Sequence, residues 1–166
     1  EHGTELWLST GTPAGTRLVR DIVPGPISSV EGPLVAVGTK VFFNANDGSG
    51  TVLWVSDGSE AGTKAIATVA ADFSAYHKVG ANLVFKVRGA SQVWVTNGTL
   101  AGSVKIADRT LVGPSVALGS SILFATSSSE LWSSDGTAAG PRRIGAALTP
   151  SLADNVTVGA KLFFGA

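Results

Sequence analysis

The densest group of reactive side chains in this sequence is Tyr76-His77-Lys78, which holds the only Tyr and one of the only two His. A phenol, an imidazole and an ammonium in succession can hold an anion, and the imidazole can serve as a general base. His2 sits at a terminus that is expected to fray. That leaves His77 as the base for nucleophilic catalysis. Asp72 lies on the same segment, but no nucleophile is signposted beside it, and no catalytic residue is assigned. A chain with no Cys and two His excludes Cys-ligated and His-rich metal sites.

Asp57, Asn97 and Asp135 form a second group. Each stands in a Ser-Asp-Gly-Thr type segment, where a side-chain oxygen can bind a ligand or simply fold a turn. One hard charged ligand per segment is far short of the roughly six to eight oxygens that Ca²⁺ takes. Asn44-Ala45-Asn46-Asp47-Gly48-Ser49-Gly50 has the look of a calcium loop, but Val55 stands where the closing Glu belongs. No metal ligand is assigned, and no cofactor is expected. A structural ion in a central channel is compatible with the reading.

These residues are positioned by a repeat. Four segments align without gaps around the four Trp: Glu5-Leu6-Trp7, Val52-Leu53-Trp54, Gln92-Val93-Trp94 and Glu130-Leu131-Trp132. Each is followed by a Ser/Thr-Asx/Thr-Gly turn and a second Gly four residues on. A second element recurs in step: Val37-Gly38-Thr39-Lys40-Val41-Phe42-Phe43, Val79-Gly80 to Phe85, Leu118-Gly119 to Phe124 and Val158-Gly159 to Phe164. A spacing of about forty residues is that of propeller blades. Each unit reads as four short strands. One ends at the Val-Gly or Leu-Gly pair, one carries Phe, one carries Trp, and one follows the Asp-Gly turn, as in Lys64 to Val69. No segment sustains a 3.6-residue apolar period, so helix is expected to be near zero.

The sequence therefore predicts an all-β chain, a four-bladed β-propeller of four-stranded antiparallel blades forming one domain over residues 1–166. It begins on a Trp strand and stops after a Phe strand. The blade split between residues 1–22 and 153–166 is expected to close the ring by pairing its halves, which removes exposed sheet edges. The runner-up is an open or dimerised assembly. The Pro/Gly-rich stretch Val23 to Pro33 reads as an ordered surface loop. One large aromatic per blade suits packing between blades better than a sugar-stacking platform. In the innermost strands, Tyr76-His77-Lys78 replaces small or apolar residues and would line the channel.

Composition narrows the function. Lys+Arg and Asp+Glu are both 12, so no bulk field draws the chain to nucleic acid. Its apolar runs are too short to span a bilayer. The first residue is Glu1 and Met is absent, as expected of a mature or excised fragment.

The unit resembles the ELWxxDGT repeat of exported and surface proteins of bacteria. Glu130-Leu131-Trp132-Ser133-Ser134-Asp135-Gly136-Thr137 matches it letter for letter, while the first copy has Thr10 and the third has Asn97 at the Asp position. The resemblance spans the chain and implies a β-propeller-like repeat with a secreted or cell-surface location. The expected function is non-enzymatic recognition, lectin-like or adhesive, with a glycan, surface polymer or protein as partner. The alternatives are a hydrolase using Tyr76-His77-Lys78 at the channel mouth and a purely structural scaffold.

Overall fold

The computed structural model describes residues 2–137, 139–145 and 150–166, with every side chain except that of Ala75. Glu1, residues 146–149 and Ala138, a turn position of the fourth repeat, lie outside the described residues. Sixteen strands and no helix form among the described residues. None of them therefore builds a helix long and apolar enough to cross a membrane.

The chain divides into two compact units, Glu1–Ala71 and Asp72–Ala166. The first opens with a hairpin of β1 (Leu6–Leu8) and β2 (Arg17–Arg20). A four-stranded sheet follows, in sequence order: β3 (Val30–Val37), β4 (Lys40–Asn46), β5 (Thr51–Ser56) and β6 (Lys64–Ala65). The second unit has two sheets of this kind. β7 (Ala71–Val79, starting at the junction), β8 (Asn82–Val87), β9 (Val93–Thr96) and β10 (Val104–Ala107) form one. β11 (Leu111–Leu118), β12 (Ser121–Thr126), β13 (Glu130–Ser134) and β14 (Arg142–Gly145) form the other. It ends in a hairpin of β15 (Ser151–Val158) and β16 (Lys161–Gly165).

The four-strand unit read from the repeat is thus present three times in full. The two terminal hairpins stand as separate two-stranded sheets. The single blade expected from pairing residues 1–22 with 153–166 is not among the described sheets.

The first turn of each unit needs its Gly. Gly38, at φ 59°, occupies the first central position of a two-residue turn closed by Val37 pairing with Lys40, the position that type II′ hairpins reserve for Gly. Two boundaries differ from expectation. The Pro/Gly-rich stretch is not all loop, because Val30 to Pro33 belongs to β3. There the left-handed Gly32 and the following Pro33 sit where the register against β4 shifts, between Glu31 and Val35. Gly113-Pro114 does the same in β11. The fourth strand Lys64 to Val69 shrinks to Lys64–Ala65. Ile66 N–H still bonds Leu53 O at 2.9 Å, and Leu53 N–H bonds Val69 O at 2.9 Å, so the pairing continues out of register.

Strand alternation gives each sheet two apolar faces. In the first unit Leu6 and Val19 of the hairpin meet Phe43, Ala45 and Trp54 of the sheet. In the second, Val79, Val84, Val93 and Val95 pack against Ile122 and Phe124, and the opposite face of that next sheet packs Leu131 against Leu152, Leu162 and Phe164. The deepest aromatics are Phe42, Phe43, Phe85 and Phe124, all fully buried. The Trp residues are graded instead: Trp54 is 4% exposed, Trp94 and Trp132 are half-buried, and Trp7 is 53% exposed. Trp54 and Trp132 pack in clusters that join neighbouring sheets, and the four Trp are not equivalent as expected.

The residue two before the Trp has a local task in the third and fourth repeats. Glu130 Oε2 accepts the Trp132 indole N–H at 3.1 Å, and Gln92 Oε1 accepts that of Trp94 at 3.2 Å. Where Val52 replaces it, the buried Trp54 Nε1 has no partner among the described residues. The Arg20 guanidinium lies over the Trp54 ring, 5.7 Å from its centroid. Glu5 is turned inward, accepting from Ser29 Oγ and Ile22 N–H.

Candidate functional site

The Asp-Gly turns are one device built repeatedly. Asp57 Oδ1 accepts from Ser59 N–H at 2.9 Å and Ser59 Oγ at 2.6 Å. Asn97 Oδ1 does the same with Thr99 at 3.0 and 2.7 Å, and Asp135 Oδ1 with Thr137 at 2.9 and 2.7 Å. These bonds hold the Asp57 and Asp135 carboxyls below the ordinary carboxylate range, since they stabilise the ionised form. The second Gly of each copy lies under that side chain. A Cβ on Gly62, Gly102 or Gly140 would overlap Asp57, Asn97 or Asp135 respectively. The three residues singled out as ligands are therefore also the pins of their own turns. The Asp47 loop is of the same kind: Asp47 Oδ1 accepts from Ser49 N–H and Oγ, and Asn46 Oδ1 from Gly48 N–H.

Tyr76, His77 and Lys78 do not converge. His77 shares a face of β7 with Val79, which packs against the β11–β14 sheet, and its half-buried ring is hydrogen-bonded to the Gly113 backbone. Burial pushes its pKa below the ordinary histidine value. Tyr76 and Lys78 project from the opposite face. Tyr76 is half-buried and edge-on to Phe73, with ring centroids 6.0 Å apart, and Lys78 is exposed. Asp72 is taken by Ser74, at 2.6 Å from its hydroxyl, and by Lys86 at 3.5 Å. His2 is held by Asp21 at 2.7 Å, where fraying was expected.

A concave polar site lies where single-residue reading placed only Asp135. Ser120, Ser121, Ser133, Asp135 and Arg142 line a hollow of 390 Å³ at the turn end of the β11–β14 sheet. Ser133 pairs with Leu123 on one side and Arg142 on the other, which places all three side chains on one face. The Arg142 charge adds to the lowering of the Asp135 pKa. The signal for this site was present in the repeat. Position 133 is Leu8, Val55 and Val95 in the other copies, and a hydroxyl there breaks the pattern.

Comparison with protein-family models and with curated proteins finds no match for this chain.

Proposed function

We propose that this chain is a non-enzymatic recognition module, lectin-like or adhesive, belonging to an exported or cell-surface bacterial protein of the ELWxxDGT repeat type. One observation carries this reading. A rigid turn is built from the same internal bonds in successive repeats, while the residue at its tip varies: Pro13, Glu60 and Leu100, the last 65% exposed. A constant frame with variable exposed tips is how binding loops are carried on a scaffold. Glycans, surface polymers or a protein partner suit such a surface, and the reading calls for no cofactor. Several quasi-equivalent tips give avidity without any single tight site.

We further propose that the repeats form a four-bladed propeller whose terminal hairpins complete one blade. β15–β16 are the first two strands of a unit and β1–β2 the last two. Val156 and Phe163, a cross-strand pair, are 58% and 54% exposed, whereas the same pair in β3–β4, Val35 and Phe42, is buried. Exposed Trp7 and Phe163 are the apolar surface that joining the halves would cover.

The test of function is a glycan array followed by thermal shift, because a ligand that binds only the folded state raises the melting temperature. A glycan hit weakened by changes at Glu60 and Leu100 supports the reading. No response to any glycan, together with no partner captured by the immobilised chain, overturns it. The test of closure is amide hydrogen exchange. Strong protection of Lys161–Gly165 in a monomeric chain supports the ring, and free exchange there refutes it.

A further inference from the structure

We infer that the hollow lined by Ser120, Ser121, Ser133, Asp135 and Arg142 is a single binding site for a neutral polyhydroxylated ligand such as one pyranose residue. The inference rests on the recognition reading and narrows it from four equivalent turns to one repeat.

Ser133 is the decisive residue. It is 6% exposed, it lines the hollow, and its hydroxyl has no hydrogen-bond partner among the described residues. Facing the hollow, that hydroxyl offers a ligand both a donor and an acceptor. The other repeats carry Leu8, Val55 or Val95 at this position and offer no hydroxyl there. The fourth repeat combines that hydroxyl with a concavity and a balanced pair of charges.

The lining also defines the ligand chemistry. Arg142 only donates. The Asp135 carboxylate only accepts, and its Oδ1 is already committed to Thr137. The Ser hydroxyls do both. Opposite charges cancel, so neither an anion nor a cation is favoured overall. A ligand that presents several hydroxyls, each both donor and acceptor, satisfies all of these groups at once. An apolar molecule satisfies none.

The test is isothermal titration of the full chain with a panel of methyl glycopyranosides, including Ser133→Val and Arg142→Gln variants. Valine at position 133 is the residue of repeats two and three, so this variant is expected to fold and to melt no lower than the parent. One ligand per chain is expected, with affinity reduced at least tenfold in both variants. Binding that survives both Ser133→Val and Arg142→Gln, or a stoichiometry near four, overturns this site and leaves the recognition reading standing. If no glycoside binds the parent chain, the site is refuted. Recognition itself then fails only if the glycan array and partner capture are negative as well.

Discussion

Ser56 Oγ lies 2.7 Å from Thr63 Oγ1, a bond that joins the two ends of the Asp57-Gly58 turn across seven residues. The same latch joins Ser9 to Thr16 and Thr96 to Ser103, each at 2.7 Å. Both Ser56 and Thr63 are buried, and Thr63 Oγ1 also donates to Ser59 O at 2.7 Å. Thr63→Val removes the latch and strands one acceptor, Ser59 O, and one donor, the Ser56 hydroxyl, so it should lower unfolding stability by about 1–3 kcal/mol. Urea denaturation measures this. Ser56→Ala combined with Thr63→Val should cost less than the sum of the single changes, because both act on one bond.

Gly62 is a packing requirement of the same turn. Gly62→Ala places a methyl where the Asp57 carboxylate sits. The carboxylate must leave Ser59, and stability should fall by about 1–2 kcal/mol. In an Asp57→Ala background the same Gly62→Ala change should cost little. An undiminished cost there would show that the glycine serves another contact.

Asn44 acts as a strand in miniature. Its Nδ2 donates to Ala71 O at 2.8 Å and its Oδ1 accepts Ala71 N–H at 2.9 Å, all in a buried setting. Asn44→Ala leaves both backbone groups unsatisfied, with an expected loss of about 2–4 kcal/mol. Thermal unfolding of the variant tests this, and a loss well under 1 kcal/mol would mean that water replaces the amide.

Val52→Gln should stabilise the chain by about 1 kcal/mol, because it gives the buried Trp54 Nε1 the acceptor that Gln92 gives Trp94. A blue-shifted and narrowed Trp emission, together with a higher urea midpoint, is the expected signature.

Two pH effects follow from opposite chemistry with the same sign. His77 has a folded-state pKa below its unfolded value, since burial disfavours the cation. Its contribution is complete above about pH 6.5 and is lost as pH falls through the lower folded value. Position 77 is Val35, Val116 and Val156 in the other repeats. His77→Val should therefore gain stability relative to the parent at pH 5, and the gap should narrow at pH 8. Asp57 and Asp135 are likewise depressed, here by hydrogen bonds from Ser59 and Thr137. Their contribution is present above about pH 4 and is lost below it. Asp57→Asn and Asp135→Asn should flatten the stability profile in that acid range while keeping the turns, as Asn97 does.

Much of this protein could be read from local rules. The strand types, the Gly turns and the absence of helix among the described residues depend on backbone preference and two-residue alternation, which a repeat displays several times over. Hairpin boundaries were less legible. Gly32-Pro33 reads as loop, yet a left-handed Gly carries a strand through a bulge, and only the facing β4 reveals that. The site was half legible. Tyr76-His77-Lys78 are adjacent in sequence, but alternation sends His77 to one face and its neighbours to the other.

The sequence by itself determined the repeat, the all-β class and the turn chemistry, because each depends on residues within a few positions of one another. Only the tertiary structure decided which side chains share a space. It separated Trp54 from Trp7 by burial, and it gathered Ser133, Asp135 and Arg142 around one hollow. Burial and convergence depend on what an adjacent strand or sheet covers, and no spacing along the chain contains that information.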